Sequence, residues 1–380
     1  MIYLDYAATT PISKSALHVY TEVALNYFGN TESLHDIGDN ARNILSESRR
    51  QLAEYMNGHQ EGIYFTSGGS ESNHLAITSI VRANKSRGNH LITTITEHAS
   101  VLNTFDLLEN EGFRVTKLPV DSYGQVSVED LRQVIETDTI LVSIGHANSE
   151  IGTLQPLQEV GQLLKENGIF FHSDCVQTFG KKPIDVQKHG LDSISISAHK
   201  VYGPKGVGAC YISPNISWKS NLPGSTHEKG FRAGTVNVPG IAAFVTAVGE
   251  LIKSMEQNKL RFKEIRESFL KIVDGQSNLV VEGHPSEHLP SILGIRTKGI
   301  EGQFIMLEMN RRGFSISTGS ACSVGSQKPS KTMLAVGRND DEARELIRLS
   351  FGTPTSLDDV EAAANALTEI YQKVRNSPVK

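Results

Sequence analysis

The sequence predicts an α/β protein with a large domain built on a mostly parallel sheet and a smaller α+β domain. Three observations lead there. Between residues 60 and 212, short β-rich runs alternate with longer amphipathic stretches, the rhythm of a parallel sheet covered by helices. Several of those runs are almost continuously apolar, as strands are when both faces are buried. The chain, at 380 residues, also exceeds the size at which one hydrophobic core usually stops growing.

Taken in order, strands are expected at 63–65, 90–95, 114–118, 139–145, 168–172, 193–197 and 206–212. Helical patterns at 71–86, 101–111, 128–135 and 156–166 separate most of them. After Gly224 the rhythm changes. Residues 239–274 read as long helical material with a break near 257–258. Short strands at 291–295, 314–317 and 346–351 then interleave with helices at 301–312 and 357–374. The expected division is a large domain over 13–256 and a small domain formed by 1–12 with 257–380.

Composition narrows the function. Hydrophobic residues make up 38% and charged residues 21%, the balance of a soluble globular chain. A net charge of −5 with both signs interspersed leaves no basic footprint, which argues against a dedicated nucleic-acid binder. The start, Met-Ile-Tyr-Leu-Asp-Tyr, lacks the basic and apolar regions of a signal peptide. The longest apolar-rich run, 241–248, is far too short for a membrane span. A cytoplasmic protein without membrane contact is expected. Its three cysteines, Cys175, Cys210 and Cys322, cannot pair completely and fit no zinc spacing, so no metal is expected. A cysteine that matters here matters as a thiol.

Three segments carry candidate chemistry. Thr66-Ser-Gly-Gly-Ser-Glu-Ser72 follows a short strand and opens a helix. Its glycines allow a sharp turn, its serines add donors, and the helix N-terminus favours an anion. Next, Gly168-Ile-Phe-Phe-His-Ser-Asp174 reads as a buried strand with a carboxylate at its C-terminal end, where ligands of open α/β sheets collect. Such an aspartate can hold a pyridine nitrogen protonated, or it can simply cap a loop. Finally, a strand ends abruptly at His199-Lys200 before a turn rich in Gly and Pro. A lysine at a strand end can form a Schiff base with an aldehyde cofactor, although most lysines are solvated surface charges. The order phosphate loop, aspartate, lysine is more specific than any one member.

The run Ser197-Ala-His-Lys-Val-Tyr-Gly-Pro-Lys-Gly206 resembles the cofactor-lysine signature of class V aminotransferase-fold enzymes, particularly the cysteine desulfurases (NifS/IscS-like). The resemblance extends from Tyr3-Leu-Asp-Tyr-Ala-Ala-Thr-Thr-Pro11 to about Thr353. It implies the fold of pyridoxal-phosphate-dependent transferases, aspartate aminotransferase-like and of fold type I, with pyridoxal 5'-phosphate as cofactor. It implies that Gly69, Ser70, Ser197 and His199 bind the phosphate and that His98 lies over the pyridine ring. Asp174 would pair with the ring nitrogen, Gln177 with the ring oxygen, and Asn148 with that oxygen or the substrate carboxylate. Lys200 would form the Schiff base, and Arg348 would bind the substrate carboxylate, where the alternative is a salt bridge between domains. Arg232-Ala-Gly-Thr235 resembles a segment that crosses a homodimer interface and lends Thr235 to the neighbour's phosphate.

Cys322 selects a reaction within that family. It follows small residues and precedes a polar stretch containing Gly325 and Lys328, which reads as a surface loop. Reactive cysteines are accessible and close to positive charge. Cys210 lies in an apolar strand, where burial is the better reading, and Cys175 should pack beside Asp174. Gly319-Ser-Ala-Cys322 with its polar continuation resembles the longer-loop cysteine desulfurases. This implies that L-cysteine becomes L-alanine and that Cys322 keeps the sulfur as a persulfide. Lys200 would take the α-proton and His98 would move protons near the substrate thiol. The sulfur would pass to an acceptor protein, such as an iron–sulfur scaffold or a tRNA sulfurtransferase. Selenocysteine lyase and cysteine-sulfinate desulfinase remain alternatives on this scaffold, whereas an ordinary aminotransferase has no need of the thiol. The chain departs from the family pattern at Thr31 and Glu32, where Pro-Ser is more usual, and at Pro354.

Overall fold

The structure, a computed structural model, describes residues 1–222, 224, 226–319 and 329–376. These hold twelve strands: β1 (Ile2–Tyr3), β2 (Ile63–Thr66), β3 (His90–Thr94), β4 (Arg114–Leu118), β5 (Thr139–Ser143), β6 (Phe170–Asp174), β7 (Ser193–Ser197), β8 (Gly208–Ile212), β9 (Leu279–Glu282), β10 (Ile292–Thr297), β11 (Phe314–Ser315) and β12 (Leu346–Ser350). Seven form one sheet in the order β2-β8-β7-β6-β5-β3-β4. Pairings from β7 through β4 are parallel, and only β8 runs against its neighbours. The fold is therefore α/β with a mostly parallel central sheet, as the alternating rhythm predicts.

Strand periodicity explains how this sheet is covered. Successive side chains point to opposite faces, so Leu91 and Leu141 join one apolar cluster while Ile92 and Val142 join another. The first cluster includes Ile77 and Phe105, from helices Gly69–Ala83 and Ala99–Asn110. The second includes Leu52, Leu164 and Phe244, from Asp36–Glu54, Leu157–Glu166 and Val238–Lys253. Helices on both faces exclude water from the central strands, and every residue of β3, β5 and β7 is buried.

A second layer contains the antiparallel sheet β12-β10-β9 and the parallel pair β1-β11. Its cluster joins Leu4 to Phe262, Phe269, Leu293, Ile347 and Leu367. Strand β9 carries Glu282, which is 2% exposed and accepts from Arg296 Nε and Arg338 Nη2, both at 2.8 Å. The break in the long helical stretch falls at Ser254, between Val238–Lys253 and Met255–Val273, three or four residues before its expected place. The Ser254 hydroxyl donates to the Glu250 carbonyl at 3.0 Å, a local alternative to helix continuation. Among the described residues, no single helix is long and apolar enough to cross a membrane.

Candidate active site

Parallel strands place their C-terminal ends along one edge of a sheet, and ligands of α/β proteins gather there. Here the chain leaving β3, β5, β6 and β7 lines a cleft of about 760 Å³. The cleft brings together Gly69, Ser70, His98, Asn148, Asp174, Gln177, Ser197, His199, Lys200 and Arg348. Thr235 does not line it and is exposed. Cys322 lies outside the described residues.

Lys200 reaches this place because β7 stops at Ser197 and a short turn, Ala198–Lys200, carries the chain over the sheet edge. Tyr202 then adopts φ 64°, and Gly203 N–H closes the turn on the Ala198 carbonyl at 2.9 Å. The Lys200 amine donates to the carbonyls of Ala7 at 2.5 Å and Ala8 at 2.8 Å. Those residues come from the N-terminal segment. Thr10 N–H also donates to the His199 carbonyl, and Tyr202 N–H donates to the Thr10 hydroxyl, each at 2.8 Å. His199 shares a 3.2 Å hydrogen bond with the Thr9 hydroxyl. Burial and the adjacent Lys200 charge push its pKa down to about 4, so its ring is neutral at pH 7.

Asp174 ends β6. Its Oδ2 accepts from Asn73 Nδ2 at 2.7 Å and its Oδ1 from Val176 N–H at 3.0 Å. Gln177 donates to the Ala7 carbonyl at 3.1 Å, while its Oε1 is buried without a partner. The Ser197 hydroxyl is likewise buried and unpaired. Burying polar atoms without partners is costly, so both positions call for a ligand with complementary groups. Gly69 opens its helix where a Cβ would come within 2.5 Å of Val176. Only glycine leaves the helix N-terminus bare at that point.

His98 caps the helix Ala99–Asn110, its Nδ1 accepting from Ser100 N–H at 3.2 Å. Asn148 is committed locally: its Oδ1 accepts from Glu150 and Ile151 N–H at 2.9 and 3.1 Å. Its amide donates to Thr332 at 3.2 Å. Arg348, from β12, donates to Asp5 at 2.7 Å and to the Ser149 carbonyl at 2.9 Å. Its Nε is buried and unpaired. The Asp5 pair lies within the expected small domain, so it is not the salt bridge between domains considered as the alternative; only the bond to the Ser149 carbonyl reaches the expected large domain. Arg232 pairs with Glu71 at 2.8 Å, and Glu71 also accepts from Ser67 N–H at 2.5 Å. This ties the segment before Thr235 to the turn at residues 67–71.

Several groups escaped the sequence reading. Glu97 is half-buried, its Oε1 receives Thr94 and Gly145 donors at 2.9 Å, and its Oε2 is buried without a partner. Burial, with Asp174 as a further repulsive charge, pushes its pKa up to about 8. Glu150 accepts from Ser330 at 2.5 Å, and burial raises its pKa too. Lys181 shares a second, smaller cavity with Lys200 and Tyr202. Desolvation first, then the Lys200 charge, pushes it down to about 7. Glu97 and Glu150 sit within one or two residues of His98 and Asn148, but nothing in the sequence marks Lys181. Cys175 and Cys210 are both fully buried. Burial pushes the Cys175 thiol up to about 12 and raises Cys210 well above its ordinary value, so neither offers a thiolate at neutral pH.

The sequence model of the aminotransferase class-V family matches residues 2–363. The chain is 40% identical over 381 residues to the cysteine desulfurase IscS of Dictyoglomus turgidum, covering all of this chain and 97% of that one. It is 39% identical over 375 residues to the cysteine desulfurase IscS of Methanosarcina thermophila, covering 99% and 93%. A solved NifS-like protein superposes with a TM-score of 0.92 at 29% identity, covering 98% of this chain and 99% of that one.

Proposed function

The chain belongs to the aminotransferase class-V family, and we propose that it is a cysteine desulfurase using pyridoxal 5'-phosphate. It converts L-cysteine to L-alanine and leaves the sulfur as a persulfide on Cys322. The observation that carries this reading is the near full-length likeness to cysteine desulfurases.

The cleft suits the cofactor. Ser197, with its unpaired hydroxyl, the bare helix start at Gly69 and Ser70, and His199 supply a phosphate seat. Gln177 Oε1 and Asp174 bring polar groups to the ring. When bound, the cofactor supplies an aldehyde that condenses with amines and a ring that accepts an electron pair. Lys200 provides the amine and later the base for the substrate α-proton. Asp174 holds a proton at the ring nitrogen. Arg348 takes the substrate carboxylate, a match for a planar guanidinium, and Asn148 borders the same place. His98 moves a proton at the substrate thiol. The Cys322 thiolate attacks that sulfur; the carbon–sulfur bond breaks, a sulfur–sulfur bond forms, and the carbon takes up protons to become alanine. The persulfide sulfur then passes to an acceptor protein, in iron–sulfur cluster assembly or tRNA thiolation. Two copies form a homodimer in which the exposed Thr235 serves the neighbouring cleft.

The test is to incubate the purified protein with L-cysteine, assay alanine, and map added sulfur by mass spectrometry. Alanine with a reductant-labile extra sulfur on Cys322 is expected, and Cys322→Ser should lose turnover while retaining the cofactor. Normal turnover in that variant would overturn the role given to the thiol.

A further inference from the structure

Asn73, from the helix behind the phosphate loop, is 1% exposed and lines the cleft. Its amide nitrogen lies 2.7 Å from Asp174 Oδ2 and 3.0 Å from the Ser100 hydroxyl. Its amide oxygen lies 3.1 Å from His172 Nε2. Which end of an amide is which must be settled by its partners. Here one partner decides, because an ionised Asp174 can only accept.

Every other direction follows. With both amide hydrogens given to Asp174 and Ser100, the Asn73 oxygen must accept, so His172 carries its proton on Nε2. Burial holds the His172 pKa near 3, leaving one ring proton, and Nδ1 then accepts from the Ser193 hydroxyl at 3.0 Å. Ser100, accepting from Asn73, turns its own hydrogen to His98 Nδ1 at 2.8 Å. Ser100 N–H reaches the same nitrogen at 3.2 Å. His98 Nδ1 is thus an acceptor twice over, and the proton of the neutral ring sits on Nε2.

We propose that Asn73 is a positioning residue that joins Asp174 to His98 through one directed hydrogen-bond chain, which together with the Ser100 N–H holds neutral His98 as an Nε2–H donor. On this view His98 meets the substrate as a hydrogen-bond donor, and it accepts a proton there only after giving one up. The proposal rests on the reading of Asp174 and His98 as cofactor-contacting groups. Charge-assisted hydrogen bonds of this kind correspond to roughly ten- to hundredfold in an equilibrium.

The experiment combines spectroscopy with one near-isosteric change. In wild-type protein labelled with ¹⁵N-histidine, with His98→Gln and His172→Gln to assign signals, neutral His98 and His172 should both show a protonated Nε2. A neutral His98 protonated on Nδ1 overturns the proposal without reference to any variant. Asn73→Leu fills the same space but donates nothing. It should weaken pyridoxal 5'-phosphate binding roughly tenfold or more and move the visible absorption of the bound cofactor, with a cooperative melt retained. Affinity and spectrum identical to wild type would also overturn it. If wild-type protein itself bound no pyridoxal 5'-phosphate, the functional reading would fall, while the histidine signals would still test the chain of directions.

Discussion

The Arg348 guanidinium donates to the Asp5 carboxylate at 2.7 Å, joining β12 to the N-terminal segment on the wall of the cleft. A second nitrogen is taken by the Ser149 carbonyl, and the third, Nε, is buried without a partner. Asp5 therefore orients the guanidinium and leaves its remaining N–H groups, Nε–H among them, for the proposed substrate carboxylate. Arg348→Lys keeps the charge and loses the planar fork. It should raise KM for L-cysteine roughly ten- to hundredfold with a smaller change in kcat, read from alanine formation over a range of cysteine concentrations.

Glu97 should make the fold less stable as pH rises. Its folded pKa of about 8 stands above the ordinary 4.5, so between those values the folded chain binds the extra proton. The stability it contributes is complete below pH 4.5 and is lost as pH rises through 8. Glu97→Gln should flatten that fall, as measured by urea unfolding at pH 5, 6.5 and 8.

Lys181 should act with the opposite sign in a higher window. Its folded pKa of about 7 lies below the ordinary 10.5, so the unfolded chain binds the extra proton between them. Its contribution is present above 10.5 and is lost as pH falls toward 7. Unfolding free energy should climb between pH 7 and 10 by up to about 1.4 kcal/mol per pH unit, and Lys181→Met should remove most of that slope.

Glu282 should prove the most sensitive carboxylate of the antiparallel sheet. Deleting it leaves the buried Arg296, 9% exposed in its side chain, with only Glu342 and Glu345 for partners. Breaking a buried pair from one side costs about 3 kcal/mol, so Glu282→Ala should lower unfolding free energy by about that amount. Denaturant titration of a variant that still turns over cysteine would check it.

The parallel sheet was legible because both-face burial writes itself as apolar runs; β3, β5 and β7 stand where Leu91, Leu141 and Ile194 mark them. Strand β9 was not, since Leu279–Glu282 ends in the glutamate that Arg296 neutralises, and a charged residue weakens a strand pattern. Helices Lys14–Asn26 and Asp36–Glu54 were also passed over. The second is polar on average, and its apolar stripe becomes informative only against the helix Val238–Lys253. At the cleft, motif residues at strand ends could be read directly. Asn73 and Lys181 could not, because their importance lies in partners distant along the chain, such as Asp174 for Asn73 and Lys200 for Lys181.

The carbonyls of Ala7 and Ala8 that receive the Lys200 amine have a practical consequence. The same short stretch begins as a strand beside Phe314, buries Leu4 in the far cluster, and then crosses to the strand end that carries the lysine. Its ten residues work as a guy-line strung between two layers. Trimming the first eight would slacken an anchor at one end and strip the Lys200 amine of its acceptors at the other.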